Sequence, residues 1–212
     1  MPRRTKKEAL ATRQQILDAA EICFHERGLS RTSMADIAQA ASISRGAVYW
    51  HFQNKGEIFQ ALLENCGLLL GELEEATRNP DTHDPLGHIH LLLTHLFQLS
   101  AQNPGFRRLH EILLFRCEYT DEPGGLGQLM PRLAQQSHEL IAQALANAVN
   151  KAQMPADLDL PTAARTLHAC VAGVIREWLL LPDSYDLHQE AERQATICLD
   201  MLRLSPALRL NS

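Results

Sequence analysis

Apolar residues along this chain recur at intervals of three and four, the spacing of helices that bury one face. The first such helix is predicted from about Lys7 or Thr12 to Arg27, with Gly28 where a helix stop is expected. Its inner stripe consists of Ile16, Leu17, Ala20, Cys23 and Phe24. The chain shows neither strand-like alternation nor an internal repeat, so the pattern predicts an all-α protein.

The stretch from residue 32 to residue 55 predicts two short helices that meet at a tight turn. Ser33 and Asp36 have the spacing of a capping box, and Ser44 can cap a second helix that ends near His51. Two helical turns are too few to be stable alone in water. The second helix must therefore dock on a larger structure, which leaves most of its side chains free for a partner.

Six further helices follow in the pattern, which makes about nine in all. They are predicted at Lys55 to about Thr77, from Pro85, from Pro104, from Pro131 to about Gln153, from Thr162 to Leu181 and from Tyr185 to Leu204. Residues 120–127 (TDEPGGLG) form the least structured interior stretch. We predict a helix-turn-helix domain over residues 1–54 and a helical domain over 55–212, with the long fourth helix as the link.

Composition is typical of a globular protein without membrane spans. The 212 residues are 45% apolar and 21% charged. No run of 18 apolar residues occurs, and the charged N-terminus lacks the apolar segment of a secretion signal. Five cysteines are scattered without a C-x-x-C motif, which is typical of reduced thiols. We therefore expect a cytoplasmic protein.

Charge is distributed unevenly along the chain. Residues 1–55 hold nine Lys or Arg against five Asp or Glu, a net +4, whereas the remainder holds eleven against twenty, a net −9. The basic segment can approach a polyanion. Arg3, Arg4, Lys6 and Lys7 form a basic arm that either contacts DNA phosphates or the minor groove, or is simply a solvated terminus.

The second short helix carries side chains that suit a DNA partner. Arg45 can bind a phosphate or a guanine edge, and Gly46 permits close backbone approach. The alternative is that Tyr49 and Trp50 are core aromatics, although Val48 and Phe52 are better core candidates. The predicted DNA-binding residues are Thr32, Ser33, Ser44, Arg45, Gly46, Ala47, Tyr49, Trp50, His51 and Lys55.

Residues 10–60 resemble the DNA-binding domain of the TetR family of bacterial repressors. Family members usually have glycine where this chain has Ser42, and that position is expected to need a positive φ. The resemblance is carried by Ile16, Leu17, Asp18, Ala19, Ala20, Phe24, Gly28, Thr32, Ile37, Ala38, Ala41, Ser44, Gly46, Tyr49, His51, Phe52 and Lys55.

The C-terminal part resembles the AcrR- and TtgR-like branch of that family, which represses multidrug efflux pumps. The similarity lies in phrases such as 111–113 (EIL), 145–149 (LANAV) and 178–184 (WLLLPDS). It implies a homodimer through the helices near 162–181 and 185–204, which carry apolar residues on more than one face. The alternative is that these helices bury both faces within their own chain.

The same branch has a large, mostly apolar cavity that accepts chemically unrelated hydrophobic drugs. Polar anchors for such a ligand must come from inward-looking positions, and His168 and Arg176 are expected to share a face. Each could instead lie on the surface, and core packing alone would explain the apolar candidates. The predicted ligand-binding residues are Leu92, Leu93, Leu96, His110, Leu113, Ser137, Ile141, His168, Val171, Ala172 and Arg176.

Neither a metal site nor a catalytic site is predicted. The densest histidine group comprises His83, His88, His90 and His95 with Asp84, but no second ligand pair completes a site. No catalytic or phosphate-binding motif occurs, so we expect no cofactor and no enzyme activity.

The sequence thus predicts a ligand-responsive repressor. It would bind a palindrome-like double-stranded operator, that of a multidrug efflux operon, and would be released by small hydrophobic inducers. One alternative is a TetR-type regulator of another operon that answers to a specific metabolite or signal. The other is a helical ligand-binding protein or enzyme without a DNA role.

Overall fold

The computed structural model of the protein describes residues 6–117 and 126–210. These residues form ten α-helices and one short 3-10 turn, Pro206–Leu208, and their one isolated β-bridge joins Leu158 and Arg209. The helices are α1 (Lys6–Arg27), α2 (Met34–Ala40), α3 (Arg45–His51), α4 (Lys55–Gly67), α5 (Gly71–Arg78), α6 (Pro85–Gln102), α7 (Pro104–Phe115), α8 (Leu129–Asn150), α9 (Leu160–Leu180) and α10 (Leu187–Leu204). The all-α prediction is confirmed.

None of the helices in residues 6–117 and 126–210 is both long enough and apolar enough to cross a membrane. Arg3 and Arg4 of the predicted basic arm, and residues 120–125 of the predicted loop, lie outside the described residues. Lys6 and Lys7 begin α1 and are exposed.

The predicted long fourth helix is wrong, because the structure divides it into α4 and α5. Residues 68–70 form a turn, in which the Leu70 N–H donates to the Gly67 carbonyl over 3.0 Å. Gly67 and Gly71 flank the turn, and glycine has the lowest helix propensity after proline. The turn leaves Leu68 exposed and buries Leu70, so the uninterrupted apolar stripe of the sequence concealed the break.

Helix α8 begins at Leu129, two residues before the predicted start at Pro131. A proline in the first turn of a helix removes no hydrogen bond, because the first N–H groups have no partner within the helix. Pro131 is therefore accommodated inside the first turn rather than ahead of it.

The chain divides into two compact units. The N-terminal unit comprises the described residues of 1–66 and 108–130, and the C-terminal unit those of 67–107 and 131–212. The unit that contains the helix-turn-helix thus also holds most of α4 and most of α7, which the predicted boundary at residue 54 assigns to the other domain.

The core of the N-terminal unit is built from side chains of α1 to α4 and α7. The Phe24 and Phe59 rings meet edge to face, with centroids 6.4 Å apart. Fully buried members of this core are Ile16, Leu17, Phe24, Ile37, Val48, Ile58, Phe59 and Ile112.

The C-terminal unit is organised around α6, which packs most extensively against α10 and then against α5. His90 of α6 and Thr196 of α10 form a hydrogen bond of 3.0 Å between side chains. Fully buried members of the core in this unit are Phe97, Leu145, Ala163, Ala164, Leu187, Ala195 and Leu202.

Ser42 has φ +53° and thus adopts the left-handed conformation that its glycine-like position predicts. Its N–H donates to the Gln39 carbonyl, and the Ile43 N–H donates to the Ala38 carbonyl, each over 3.0 Å. These two bonds are a Schellman motif, which ends α2 and redirects the chain toward α3. A non-glycine residue in this conformation costs about 1–2 kcal/mol.

Ser42→Gly should therefore stabilise the protein. The relief of strain, less the greater unfolded-state entropy of glycine, gives about 0.5–1 kcal/mol, or about 1–4 °C in melting temperature. Thermal unfolding followed by circular dichroism measures the change.

Ala40→Gly is the matched control, because Ala40 is exposed in the same helix but has helical geometry. This variant should lose about 1 kcal/mol. A Ser42→Gly protein that melts below the unmodified protein would contradict the conclusion that the positive φ of Ser42 is strained.

Candidate DNA-binding surface and ligand cavity

Helices α2 and α3 each begin with the predicted side-chain cap. The Asp36 N–H donates to the Ser33 Oγ over 3.1 Å, and the Ser33 N–H donates to the Asp36 carboxylate over 2.8 Å, which completes the capping box. The Ser33 hydroxyl and then its N–H hold the pKa of Asp36 below its ordinary value. In α3 the Ser44 Oγ accepts from the Ala47 N–H over 3.2 Å.

Helix α3 buries one narrow edge and exposes the rest. Val48 is completely buried and Phe52, directly after the helix, is buried as well. Arg45 is exposed, and so are 55% of Tyr49 and 72% of Trp50. These exposures exclude the alternative that Tyr49 and Trp50 are core aromatics, and they leave a cationic and aromatic face turned to solvent.

No neighbouring atom of the protein requires glycine at position 46. A Cβ built on it would come no closer than 4.0 Å to its nearest neighbour, the Ser44 Oγ. Its backbone is helical, and an alanine there would favour the helix by about 1 kcal/mol. The missing side chain instead leaves open space on the exposed face, as the close approach of a partner requires.

His51 and Phe52 hold the C-terminal end of α3. The half-buried His51 ring stands edge-on to Trp50, with centroids 4.5 Å apart. The Arg13 guanidinium of α1 lies 5.1 Å from the centroid of the Phe52 ring, a cation–π contact between α1 and the end of α3.

Thr32 is buried in the N-terminal unit, and the half-exposed Lys55 is hydrogen-bonded to the backbone of that unit. Thr32 is only 1% exposed. Its hydroxyl oxygen lies 2.8 Å from the Gly28 carbonyl oxygen and 3.2 Å from that of Cys23, and its proton is donated to these two acceptors. The Lys55 ammonium donates to the Leu29 and Ser30 carbonyls over 2.7 and 3.1 Å. Both side chains therefore stabilise the backbone beside the predicted DNA-binding surface.

An ion pair and a side-chain hydrogen bond attach α7 to α1, and a backbone bond joins the residues just after the two helices, a connection that sequence reasoning missed. Arg108 Nε lies 2.6 Å from Glu21 Oε1, and His25 Nε2 lies 2.6 Å from Glu111 Oε2. The Leu29 N–H donates to the Arg116 carbonyl over 3.1 Å. The partners are 86 or 87 positions apart, so no local spacing rule could have paired them.

The C-terminal unit contains a partly open cavity of about 220 Å³ bounded by helices α5, α6, α8 and α9. Its walls are mostly apolar. They are formed by Leu70, Glu74, Thr77, Arg78, Ile89, Leu92, Leu93, Leu96, Ser137, Leu140, Ile141, Ala144, Leu145, Leu167, His168 and Val171.

Seven of the eleven predicted ligand-binding residues line this cavity. They are Leu92, Leu93, Leu96, Ser137, Ile141, His168 and Val171. The remaining four, His110, Leu113, Ala172 and Arg176, do not line it. Arg176 is exposed, because eight residues of α-helix rotate by about 80° past whole turns and carry it off the face of His168.

Helix α5 supplies polar groups that the sequence prediction omitted. Glu74, Thr77 and Arg78 line the cavity. Thr77 is buried, its hydroxyl donates to the Glu74 carbonyl over 2.8 Å, and its own carbonyl accepts from Asn147 over 3.1 Å. The prediction placed Glu74 and Thr77 in the C-terminal part of one long fourth helix and assigned none of the three residues a ligand contact.

His168 is a neutral polar group in the cavity wall. Burial lowers its pKa below the ordinary value, and the neighbouring His138, whose ring centroid lies 4.9 Å away, lowers it further. At neutral pH the imidazole therefore offers one donor and one acceptor without a charge.

Members of the histidine-rich segment that precedes and begins α6 have structural roles. The Asp84 carboxylate accepts from the Gly87 N–H over 2.9 Å and caps the helix. His88 Nδ1 lies 2.9 Å from the Thr82 hydroxyl, and His90 bonds to α10. Within the ranges 6–117 and 126–210, no three His, Cys, Asp or Glu side chains are grouped to hold a metal ion.

A small helix-turn-helix with a solvent-facing second helix, joined to helices around an apolar cavity, defines a ligand-responsive transcription regulator. Residues 16–62 match the family described as bacterial regulatory proteins, tetR family. Residues 84–204, more than half of the chain, match the C-terminal region of MAATS-type transcriptional repressors. The chain belongs to the TetR family of bacterial transcriptional regulators, which is not a family of enzymes.

The chain is similar over nearly its whole length to curated relatives and to solved structures. The regulator TtgR of Pseudomonas putida is 47% identical over 99% of this chain and 100% of its own length. NalD, the secondary repressor of the MexAB-OprM multidrug efflux pump of Pseudomonas aeruginosa, has a TM-score of 0.80 and 33% identity, over 94% of this chain and all of its own. SmeT in complex with triclosan has a TM-score of 0.81 and 30% identity, over 95% and 96%; SmeT represses the SmeDEF multidrug efflux pump of Stenotrophomonas maltophilia.

Lys55→Met should destabilise the N-terminal unit, because the Leu29 and Ser30 carbonyls lose their charged donor. We expect a loss of about 1–2 kcal/mol in the free energy of unfolding, measured by denaturant titration. Lys151→Met, at an exposed lysine after α8, should stay within about 0.5 kcal/mol of the unmodified protein. A Lys55→Met protein of unaltered stability that binds all DNA sequences more weakly would instead favour a phosphate contact.

Proposed function

We propose that this chain is the dimeric, ligand-responsive repressor of a multidrug efflux operon and acts on DNA in the bacterial cytoplasm. The observation that carries the proposal is the outward face of α3, where Arg45, Tyr49 and Trp50 are exposed while Val48 is completely buried. The efflux operon is inferred from the relatives, since NalD and SmeT repress such pumps.

In this proposal α3 lies in the major groove of the operator. Arg45 binds a guanine edge or a phosphate, and Tyr49, Trp50 and His51 contact the DNA backbone and sugars. Ser33, Ser44 and Ala47 face the DNA from the capped starts of the two helices. Gly46 admits close approach. Thr32 and Lys55 act mainly by holding this surface in place.

Dimerisation is proposed through α9 and α10. These helices and the turn after α9 expose large apolar side chains, namely Leu180, Leu181, Ile197 and Leu204. Exposed apolar side chains on neighbouring elements favour a partner surface. A two-fold dimer would present two α3 helices about one DNA turn apart and would thus match a palindrome-like operator.

The inducer site is proposed in the cavity of the C-terminal unit. Its apolar walls favour a hydrophobic compound, and Ser137, His168, Glu74 and Arg78 supply a few polar contacts. A volume of about 220 Å³ is below the roughly 300–1,000 Å³ of drug-sized sites. An inducer must therefore be compact, or one wall of the cavity must move outward when it binds.

Release from DNA follows if the wall movement and operator binding are incompatible. An inducer that binds the expanded conformation more tightly shifts the population toward it, by no more than its difference in affinity for the two conformations. Triclosan, the ligand in the SmeT complex, is a suitable apolar probe. A regulator that answers to one specific metabolite would respond to that compound and not to triclosan.

Arg45→Ala and Gly46→Ala should both weaken operator binding while preserving the fold. For Arg45→Ala we expect about 1–3 kcal/mol, roughly 5- to 150-fold. Gly46→Ala should bind more weakly although its melting temperature is unchanged or higher, because the new methyl group meets no atom of the protein. Fluorescence anisotropy with DNA from upstream of the protein's own gene, against a scrambled duplex at the same salt concentration, measures both.

Unaltered operator affinity in both variants would contradict the role of the α3 face. If the unmodified protein bound neither duplex even at low salt, the alternative of a helical ligand-binding protein without a DNA role would be favoured.

Ala144→Leu should block the proposed inducer site, because Ala144 is a buried wall of the cavity and a larger side chain fills it. The extra side-chain volume should cost about 1–3 kcal/mol of binding free energy, a loss of about 5- to 150-fold in triclosan affinity, measured by calorimetry. Ala146→Leu, two residues on in α8 and outside the cavity walls, should bind triclosan as the unmodified protein does. Equal losses in the two variants would contradict this location.

A further inference from the structure

Two cysteine sulfurs meet between α9 and α10. Cys170 Sγ of α9 and Cys198 Sγ of α10 lie 3.3 Å apart, a sulfur–sulfur hydrogen-bond contact, and both thiols are free. A disulfide bond is about 2.05 Å long, so a small movement would bring the sulfurs to bonding distance. We propose that these two residues are a modification site at which a peroxide forms a disulfide that joins α9 to α10.

The two thiols differ in the way that this reaction requires. Cys170 is half-buried, whereas Cys198 is completely buried. Burial, followed by the contact with Cys170, raises the pKa of Cys198, which therefore remains a protonated thiol at neutral pH. Cys170 is the accessible partner that meets the oxidant, and Cys198 is positioned to resolve the product.

The chemistry needs a peroxide as its oxidant and nothing further. The sulfur of Cys170 attacks hydrogen peroxide, the O–O bond breaks, and a sulfenic acid and water form. The sulfur of Cys198 then attacks the sulfur of Cys170, the S–O bond breaks, and the departing hydroxide takes the proton of Cys198 as a second water. Two thiols are oxidised by two electrons and one peroxide is reduced to two waters.

The bond would restrain the wall of the ligand cavity. Leu167, His168 and Val171 line the cavity and lie within three residues of Cys170 on α9. Helix α10 is packed against α6, which forms another wall. A covalent link between α9 and α10 would therefore resist expansion of the cavity and weaken inducer binding. This consequence rests on the proposed function, whereas formation of the bond does not.

Formation of the bond is tested on the full-length protein. The protein is treated with hydrogen peroxide, quenched with catalase, denatured and labelled with N-ethylmaleimide. Two of the five cysteines should escape labelling. Unreduced tryptic digestion should give peptides 166–176 and 194–203 linked together, and dithiothreitol should release them. The oxidised protein should also melt about 5–10 °C higher, because the bond closes a loop of the chain.

The cysteines of the N-terminal unit supply the control. Cys66→Ser removes a half-buried thiol of α4 and should still give the linked peptides. Cys170→Ser should abolish them, and Cys170→Ala serves if that variant does not fold. Absence of the linked peptides from the oxidised wild type would overturn the proposal, as would a Cys170–Cys170 link between two chains on a non-reducing gel.

Triclosan binding then tests the consequence. The oxidised wild type should bind severalfold more weakly than its reduced form, and Cys170→Ser should bind equally before and after peroxide. Linked peptides with unchanged triclosan affinity would overturn the restraint on the cavity. If the reduced protein did not bind triclosan at all, the proposed inducer site would fail, while the peptide and melting measurements would still decide the disulfide.

Discussion

Helix α3 depends on the docking of its one buried edge against the rest of the N-terminal unit. Seven residues make about two turns of helix, too few to be stable alone in water. The helix is held by the burial of Val48 and Phe52 and by the cation–π contact between Arg13 and Phe52. Because all of these contacts lie on one side of α3, the side chains on its opposite side are available to bind a partner.

This division explains why residues that are close in sequence have unlike roles. Thr32 and Lys55 carry polar groups of the kind that bind DNA, yet both donate to carbonyls near the end of α1. Those carbonyls follow the last turn of α1, so no N–H of that helix pairs with them, and side-chain donors can bind there. Residue type alone cannot tell a donor that closes a helix end from one that reaches a phosphate. The distinction is a matter of burial.

Local spacing predicted what local forces determine. The capping box at Ser33 and the cap at Ser44 depend on neighbours within a few residues, and the structure has both. The positive φ of Ser42, which the family resemblance implied, is present as well. The division of α4 from α5 was missed because a glycine weakens a helix without always ending it. The contacts of Arg108 with Glu21 and of Glu111 with His25 were missed because residues 86 or 87 positions apart are not related by any helical spacing. Most of the predicted apolar residues line the cavity. The polar groups of α5 and the exposure of Arg176 were not predicted, because they depend on how each helix is rotated about its own axis.

The turn between α4 and α5 also bears on how the cavity can respond to a ligand. One continuous helix would have carried Glu74, Thr77 and Arg78 at angles set by α4. As a separate helix of eight residues, α5 has its own N-terminus at Gly71 and is attached to α8 through the Asn147–Thr77 bond. Both α5 and α9 pack against α6 less extensively than α10 does, so either helix can shift at lower cost than α6. We therefore expect the cavity to enlarge at its α5 and α9 walls without disturbing the packing of α6 on α10, and a bond between Cys170 and Cys198 would hold only the α9 wall.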